Sequence, residues 1–360
     1  MIIDRFRDPS QLSGPSVRVA RRSYVEDQYP TLVRNNRLRA SDLARLREEV
    51  SKFRDRPLMT ILMPLLGPQR EPLERTLESV VYQVYPGWEL CICCDGSTED
   101  RIEDLFSRYQ RLDERIKVVR LKQSSSMAGS SNATLSLASG EFAGFLSPGD
   151  ELAPDALFEM ASVLQKHAGA DIIYSDEDEI DEEGNRTRPR FKPDWAPDLL
   201  LSFDYVGRLT VYRRSLLEAI GGFSEGFNVY QDYDLVLRAT ERTDRIRHIP
   251  KVLYHRRAST GLSHSALGNG SRTGDSAHRA LSKALERRGV EASVEDGLLP
   301  DTFRARPKIK GEPKVSLIIP TRDNVSLLKN CLESIERLTT YPNYEIIIMD
   351  NDSADPATIE

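Results

Sequence analysis

Five short stretches of this chain carry side chains able to do chemistry. The first is Gln231-Asp232-Tyr233-Asp234, an acidic turn that runs into an apolar stripe at Leu235, Val236 and Ala239. Asp232 there has two readings. It is a helix-capping carboxylate, or a general base positioned at the mouth of a cleft. The others are Cys94-Asp95-Gly96-Ser97, Ser147-Pro148-Gly149-Asp150, Asp176-Glu177-Asp178 and Tyr254-His255-Arg256-Arg257. Carboxylates and imidazole in such sets take a proton from a hydroxyl nucleophile or hold a divalent cation. Each also has a plain structural reading. Pro-Gly-Asp favours a turn, and a lone histidine serves packing. The acidic run continues through Glu179, Asp181, Glu182 and Glu183, as a solvated loop would.

The elements that must position these side chains follow from hydrophobic periodicity. From Leu58 onward, apolar runs alternate with amphipathic segments: strands at 58–65, 89–94, 116–121, 141–146 and 171–174. Between them lie helices at 70–84, 101–111, 126–139 and 154–166, the third rich in small residues. Such alternation predicts an α/β fold, a mostly parallel sheet with helices on both faces. Ligands bind such sheets at the carboxyl ends of the strands. The loops 66–71, 95–100, 147–151 and 175–181 are therefore the ones that matter. Ahead of this, Ser41 begins a helix at about 41–54, an N-terminal helical arm.

Composition narrows the function classes. The 360 residues carry a net charge of -6 with 39% hydrophobic residues, enough for a substantial core. That charge gives no case for nucleic acid as a partner. The clusters Arg186–Arg190 and Arg238–Arg247 read as solvated faces or as contacts for phosphates. The four cysteines, Cys91, Cys93, Cys94 and Cys331, match neither a zinc spacing nor a disulfide framework, so a reducing, cytoplasmic compartment is expected. No apolar run reaches the 18 or so residues that span a bilayer. The expected location is the cytoplasm, including the inner face of the cytoplasmic membrane by peripheral association.

An internal repeat appears near Pro313. Val315-Ser316-Leu317-Ile318-Ile319-Pro320 matches Met59-Thr60-Ile61-Leu62-Met63-Pro64, and Tyr341-Pro342-Asn343-Tyr344-Glu345 matches Tyr85-Pro86-Gly87-Trp88-Glu89. Both lie at an offset of 256 residues. Asp350-Asn351-Asp352-Ser353 then falls on Cys94-Asp95-Gly96-Ser97. The expected domains are an N-terminal extension over 1–56, a main domain over 57–306, and over 307–360 the start of a second, truncated domain of the same type.

Taken in order, Tyr85-Pro86 to Asp95-Gly96-Ser97-Thr98, Gly140-Glu141-Phe142, Asp150 to Asp155, Tyr174-Ser175-Asp176-Glu177-Asp178 and Gln231-Asp232-Tyr233-Asp234 resemble the family 2 glycosyltransferases. The likeness is closest to bacterial O-antigen or rhamnan-type polysaccharide enzymes with tandem transferase domains. The resemblance implies a GT-A fold, Rossmann-like, and inverting transfer from a nucleotide-diphosphate sugar donor to a saccharide or lipid-linked acceptor. It implies Asp232 as the base. It places Pro64, Asp95 and Asp150 on the nucleotide and donor side. Asp176, Asp178, Trp195, Gly221 and Gly222 fall on the sugar or acceptor side. It implies a divalent cation, Mn or Mg, held here by Asp150 and His255.

Departures from the pattern weaken the metal end. Cys94-Asp95 stands where relatives carry paired aspartates, and Ser147-Pro148-Gly149-Asp150 stands where they carry Asp-x-Asp-Asp. Two alternatives follow. In one, this domain is a binding or scaffolding module for a second transferase domain. In the other, it works without metal and meets the diphosphate with basic side chains such as Arg256 and Arg257.

Overall fold

The computed structural model describes residues 27–65, 73–94, 100–121, 126–227, 230–257 and 272–359. Two compact units divide between Arg306 and Pro307.

In the first unit, helix α1 (27–35) and α2 (Ala40–Ser51) form the N-terminal arm. There follow β1 (Met59–Leu65), α3 (Leu73–Val81), β2 (Trp88–Cys94), α4 (Asp100–Leu112), β3 (Ile116–Arg120), α5 (Met127–Leu135) and β4 (Phe142–Phe145). Next come β5 (Glu151–Leu152), α6 (Ala156–Lys166), β6 (Ile172–Ile180), β7 (Arg186–Arg190), α7 (Pro197–Leu200), β8 (Thr210–Arg213) and α8 (Arg214–Ala219). The unit closes with α9 (Gln231–Thr240), β9 (Ile246–Arg257), α10 (Arg272–Arg287), β10 (Ala292–Asp296) and β11 (Phe303–Pro307).

Nine strands make one sheet in the order β3-β2-β1-β4-β8-β6-β9-β5, with β7 beside β6. The pairs of β1 with β2 and β4, of β2 with β3, and of β6 with β9 are parallel. β8 inserts antiparallel between β4 and β6. This is the mostly parallel α/β sheet of a GT-A fold, with helices on both faces.

Strand alternation explains the two faces. Ile61, Met63, Leu65, Leu90, Ile92 and Cys94 join one core, under α2, α3 and α6. Leu62, Cys91 and Ala143 join the other, with side chains of α8, α9 and α10. α3 buries Leu73, Thr76, Leu77 and Val80, one stripe of helical spacing. α5 buries only Ala128, Ser130, Ser131 and Thr134, small side chains that let its backbone approach β1 and β2.

One strand departs from the sequence expectation. β6 does not stop at Tyr174 but continues to Ile180, and Asp176, Glu177 and Asp178 are buried rather than part of a solvated loop. Cations on its neighbours make this tolerable. Arg186 Nε bonds Asp178, Lys192 Nζ bonds Glu177, and Arg188 reaches Glu179. The arginines of Arg186–Arg190 are therefore spent on the acids of β6, neither wholly solvated nor free for phosphate.

The second unit repeats the opening of the first. β12 (Val315–Thr321), α11 (Val325–Leu338), β13 (Tyr344–Asp350) and α12 (Pro356–Ile359) follow in order. β12 pairs with β13 in parallel, Val315 opposite Tyr344, as Met59 lies opposite Trp88. Local bonds recur too. Tyr85 Oη donates to Pro57 O at 2.8 Å, and Tyr341 Oη donates to Pro313 O at 2.5 Å.

Candidate active site

The candidate residues collect at the carboxyl ends of β4, β6 and β9 and at the start of α9. Strand register does most of the positioning. In the parallel β6–β9 pair, Asp178 lies opposite His255, and in the antiparallel β5–β9 pair, Glu151 lies opposite His255. Asp150, Asp178 and His255 are thereby neighbours in the fold, though distant in sequence.

Asp232 sits in the first turn of α9. The capping reading is not realised: the N-cap is Tyr230, and no side chain caps the helix there. The Asp232 carboxylate instead faces Arg208, whose Nη1 donates to Oδ2 at 3.2 Å. Both side chains stay partly open, 28% for Asp232 and 23% for Arg208. Burial pushes the Asp232 carboxyl above its ordinary value, with the Arg208 charge opposing. Two hydrogen bonds seat the first turn: Gln231 Nε2 donates to Ser131 Oγ of α5, and Tyr233 Oη donates to Leu200 O of α7.

The Ser147–Asp150 stretch is a tight turn. The Asp150 N–H donates to Ser147 O at 3.1 Å, and Gly149 has φ +96°, after proline, as a type II turn requires. Asp150 is buried, and both its oxygens are engaged. Tyr254 Oη donates to Oδ2 at 2.7 Å, and the Arg257 backbone N–H donates to Oδ1 at 2.9 Å. The Ser147 N–H in turn donates to Tyr254 Oη at 3.1 Å. The Arg257 guanidinium bonds Gly149 O and Glu151, so it holds this turn in place.

Asp178 gathers three donors. Tyr29 Oη of α1 and Arg186 Nε each donate to Oδ2 at 2.6 Å, and His255 Nδ1 bonds Oδ1 at 2.6 Å. Commitment of Nδ1 leaves Nε2 as the His255 nitrogen that is available. Asp176 Oδ1 accepts from the Lys192 N–H at 2.9 Å and lies 2.9 Å from His248 Nε2. Trp195 is half-buried and stacks on Tyr205, ring centroids 6.4 Å apart, so its ring anchors a loop. Gly221 and Gly222 have φ of +76° and +67° just after α8, a backbone that stops a helix. A Cβ on Gly222 would lie 2.5 Å from Asn132 Oδ1, which accepts the Phe223 N–H. Pro64 lies near the carboxyl end of β1, opposite Cys93. Asp95 lies outside the described residues.

Two residues of this cluster carry no sequence motif. Arg208 is one. Its Nη1 reaches both Asp232 and Ser147 Oγ, the latter at 3.4 Å, while its backbone N–H donates to Glu177 Oε2 at 3.0 Å. Asp204 is the other. Burial first, and then the Asp232 charge, push its carboxyl up to about 6. Gly207, between them, has φ +73°, and a Cβ there would stand 2.5 Å from both Glu177 Oε2 and Lys192 Nζ. That backbone favours glycine and turns the chain into Arg208.

A divalent cation does not fit this turn. Such ions take several oxygen ligands, yet Ser147 and Gly149 offer no carboxylate and Asp150 already accepts two hydrogen bonds. The Arg208 guanidinium reaches into the same place. Among the described residues no group of three or more His, Cys, Asp or Glu is arranged to hold a metal ion.

The profile of the family described as Glycosyl transferase family 2 matches residues 60–221 and 316–359. An uncharacterised protein of Sinorhizobium fredii, y4gI, is 37% identical over 336 residues, 92% of this chain and 37% of its own length. The O-antigen biosynthesis protein RfbC of Myxococcus xanthus is 37% identical over 312 residues, 86% of this chain and 24% of its own length. The chain thus spans well under half of these relatives. A crystal structure of residues 1–349 of S. aureus TarS aligns with 64% of this chain and 71% of its own, at 18% identity and a TM-score of 0.49.

Proposed function

The chain belongs to glycosyl transferase family 2, and on that premise we propose that its first unit transfers a sugar from a nucleoside-diphosphate donor to an acceptor hydroxyl, with inversion. The acceptor oxygen attacks the anomeric carbon while its proton passes to Asp232. The bond from that carbon to the phosphate oxygen breaks on the opposite face, and its electron pair leaves on the nucleoside diphosphate. The observation that carries this reading is the placement of Asp232. It stands at the carboxyl end of the sheet, partly open, with its proton affinity raised by burial. A base matched to a hydroxyl nucleophile benefits from such a shift.

Surface polysaccharide is the substrate class we assign, supported by the relative named for O-antigen biosynthesis. The acceptor is then a saccharide or a lipid-linked glycan, met at the inner face of the membrane. No described helix is long and apolar enough to cross a membrane. We read Pro307–Glu360 as the opening of a second domain of the same type, supported by the shared strand register and the second profile match. Cys94 and the closed Ser147–Asp150 turn favour a second reading, a donor-less first unit that serves as a scaffold for its neighbour.

Incubation with UDP-, GDP- and dTDP-sugars separates these. Acceptor-dependent release of nucleoside diphosphate is expected, with an inverted anomeric configuration by NMR. A product of retained configuration contradicts the inverting mechanism. Failure of the folded protein to bind any nucleoside diphosphate selects the scaffold.

A further inference from the structure

Arg208 occupies the space between the candidate base and the turn that would hold a metal in relatives. One nitrogen, Nη1, serves both Asp232 Oδ2 at 3.2 Å and Ser147 Oγ at 3.4 Å. The position is built from several directions. The Arg208 N–H is fixed on Glu177 Oε2, Lys192 Nζ donates to both Glu177 and Val206 O, and Gly207 turns the backbone at φ +73°, a conformation that favours glycine. In the turn opposite, both Asp150 oxygens are already engaged by Tyr254 and the Arg257 backbone.

We propose that Arg208 supplies the positive charge on the donor diphosphate that a divalent ion supplies in relatives, and that it holds Asp232 until the donor arrives. This rests on the transferase reading above. A guanidinium presents a planar fork of donors to phosphate oxygens and is charged at every working pH. In the donor-free protein one nitrogen of that fork, Nη1, is paired with Asp232. A bound diphosphate competes for it with a larger negative charge. As the guanidinium turns to the phosphates, Asp232 loses its partner and becomes the open acceptor for the hydroxyl proton. When the anomeric bond breaks, the growing charge on the departing phosphate falls on Arg208. Base release is thereby tied to donor binding. The donor binds first, and water meets a paired, unreactive base until then.

Calorimetric titration with UDP, GDP and dTDP, in EDTA and separately in Mg²⁺, tests this on wild-type protein and on Arg208→Lys, Arg208→Gln and Asp232→Asn. Thermal melts verify that each variant is folded. Wild-type affinity for the preferred nucleotide is expected to change less than twofold between EDTA and Mg²⁺. Arg208→Gln is expected to weaken binding at least tenfold, and Arg208→Lys, which keeps charge but loses the fork, three- to tenfold. Asp232→Asn is expected to tighten binding several-fold, because it frees the guanidinium; a purely structural arginine predicts no such gain. Binding that needs Mg²⁺ and is indifferent to Arg208 overturns the inference and leaves the transferase reading standing. Absence of binding to folded wild-type protein overturns both.

Discussion

Glu89 at the amino ends of the strands and Asp204 with Asp150 at the carboxyl ends are treated in opposite ways. At the amino ends of the strands, Glu89 accepts from Thr60 Oγ1, Lys117 Nζ, Ser139 N–H and Oγ, and the Gly140 N–H, at 2.6 to 3.0 Å. Burial alone would raise its carboxyl, but these donors outweigh it and hold Glu89 at about 2. At the carboxyl ends, Asp204 is pushed up to about 6 by burial and by the Asp232 charge. The Asp150 carboxyl is raised as well, chiefly by burial. Glu89 ties Thr60 of β1, Lys117 of β3 and the 139–140 backbone to β2 and has no acceptor capacity to spare for chemistry. Of the cleft carboxylates, Asp204, Asp232 and Asp150 are under-compensated, which costs stability and gives proton affinity, whereas Glu177, despite its burial, is held at about 2 by Lys192, Arg256 and the Arg208 N–H. A buried charge is thus a structural device or a chemical one according to how many donors face it.

Three substitutions test that contrast through stability. Glu89→Gln has the largest expected effect, a loss on the order of 3 kcal/mol, because Lys117 and the surrounding N–H groups lose their anion. Chemical denaturation at pH 7 measures it. A depressed pKa contributes stability above the ordinary carboxylate value and loses it as pH falls from about 4.5 towards about 2. The wild-type advantage over Glu89→Gln should shrink across that window. Asp204→Asn comes next, with the opposite sign. A raised pKa favours folding below the unfolded value and loses that contribution as pH rises through about 6. The variant should gain about 2 kcal/mol at pH 7.5 and nothing below pH 3.8. Equal behaviour at both pH values contradicts the raised Asp204 carboxyl that burial, and then the Asp232 charge, produce. Tyr29→Phe is the smallest, a loss of about 1 kcal/mol from one hydrogen bond to Asp178, read as a small drop in melting temperature.

Much of the architecture was legible in the residues. The alternation of strands and helices after Leu58 holds, and the 256-residue offset of the repeat reappears as matching strand register in both units. Such features are local, set by side-chain period and by turn chemistry. Burial is not local. Ile318, Ile348 and Met349 are exposed in the second unit. In the first, Leu62, Ile92 and Cys93 at the matching positions are fully covered. Of the two readings of 176–178, a solvated loop and a cleft-lining segment, the first fails because the counter-charges lie on other strands. The period-two spacing of Arg186, Arg188 and Arg190 was the available signal, since it marks a strand that could face acids. Arg208 and Asp204 left no such trace. Arg208 meets Ser147 across 61 residues and Asp232 across 24, and only the insertion of β8 between β4 and β6 brings them together.

The most direct test is the sugar-transfer rate of Asp232→Asn at saturating donor, measured beside that of Glu89→Gln below its melting temperature. The account predicts a drop of about 10³-fold for Asp232→Asn with a melting temperature no lower than wild type, and a near wild-type rate for Glu89→Gln. Wild-type turnover by Asp232→Asn would contradict it and remove the base from the cleft.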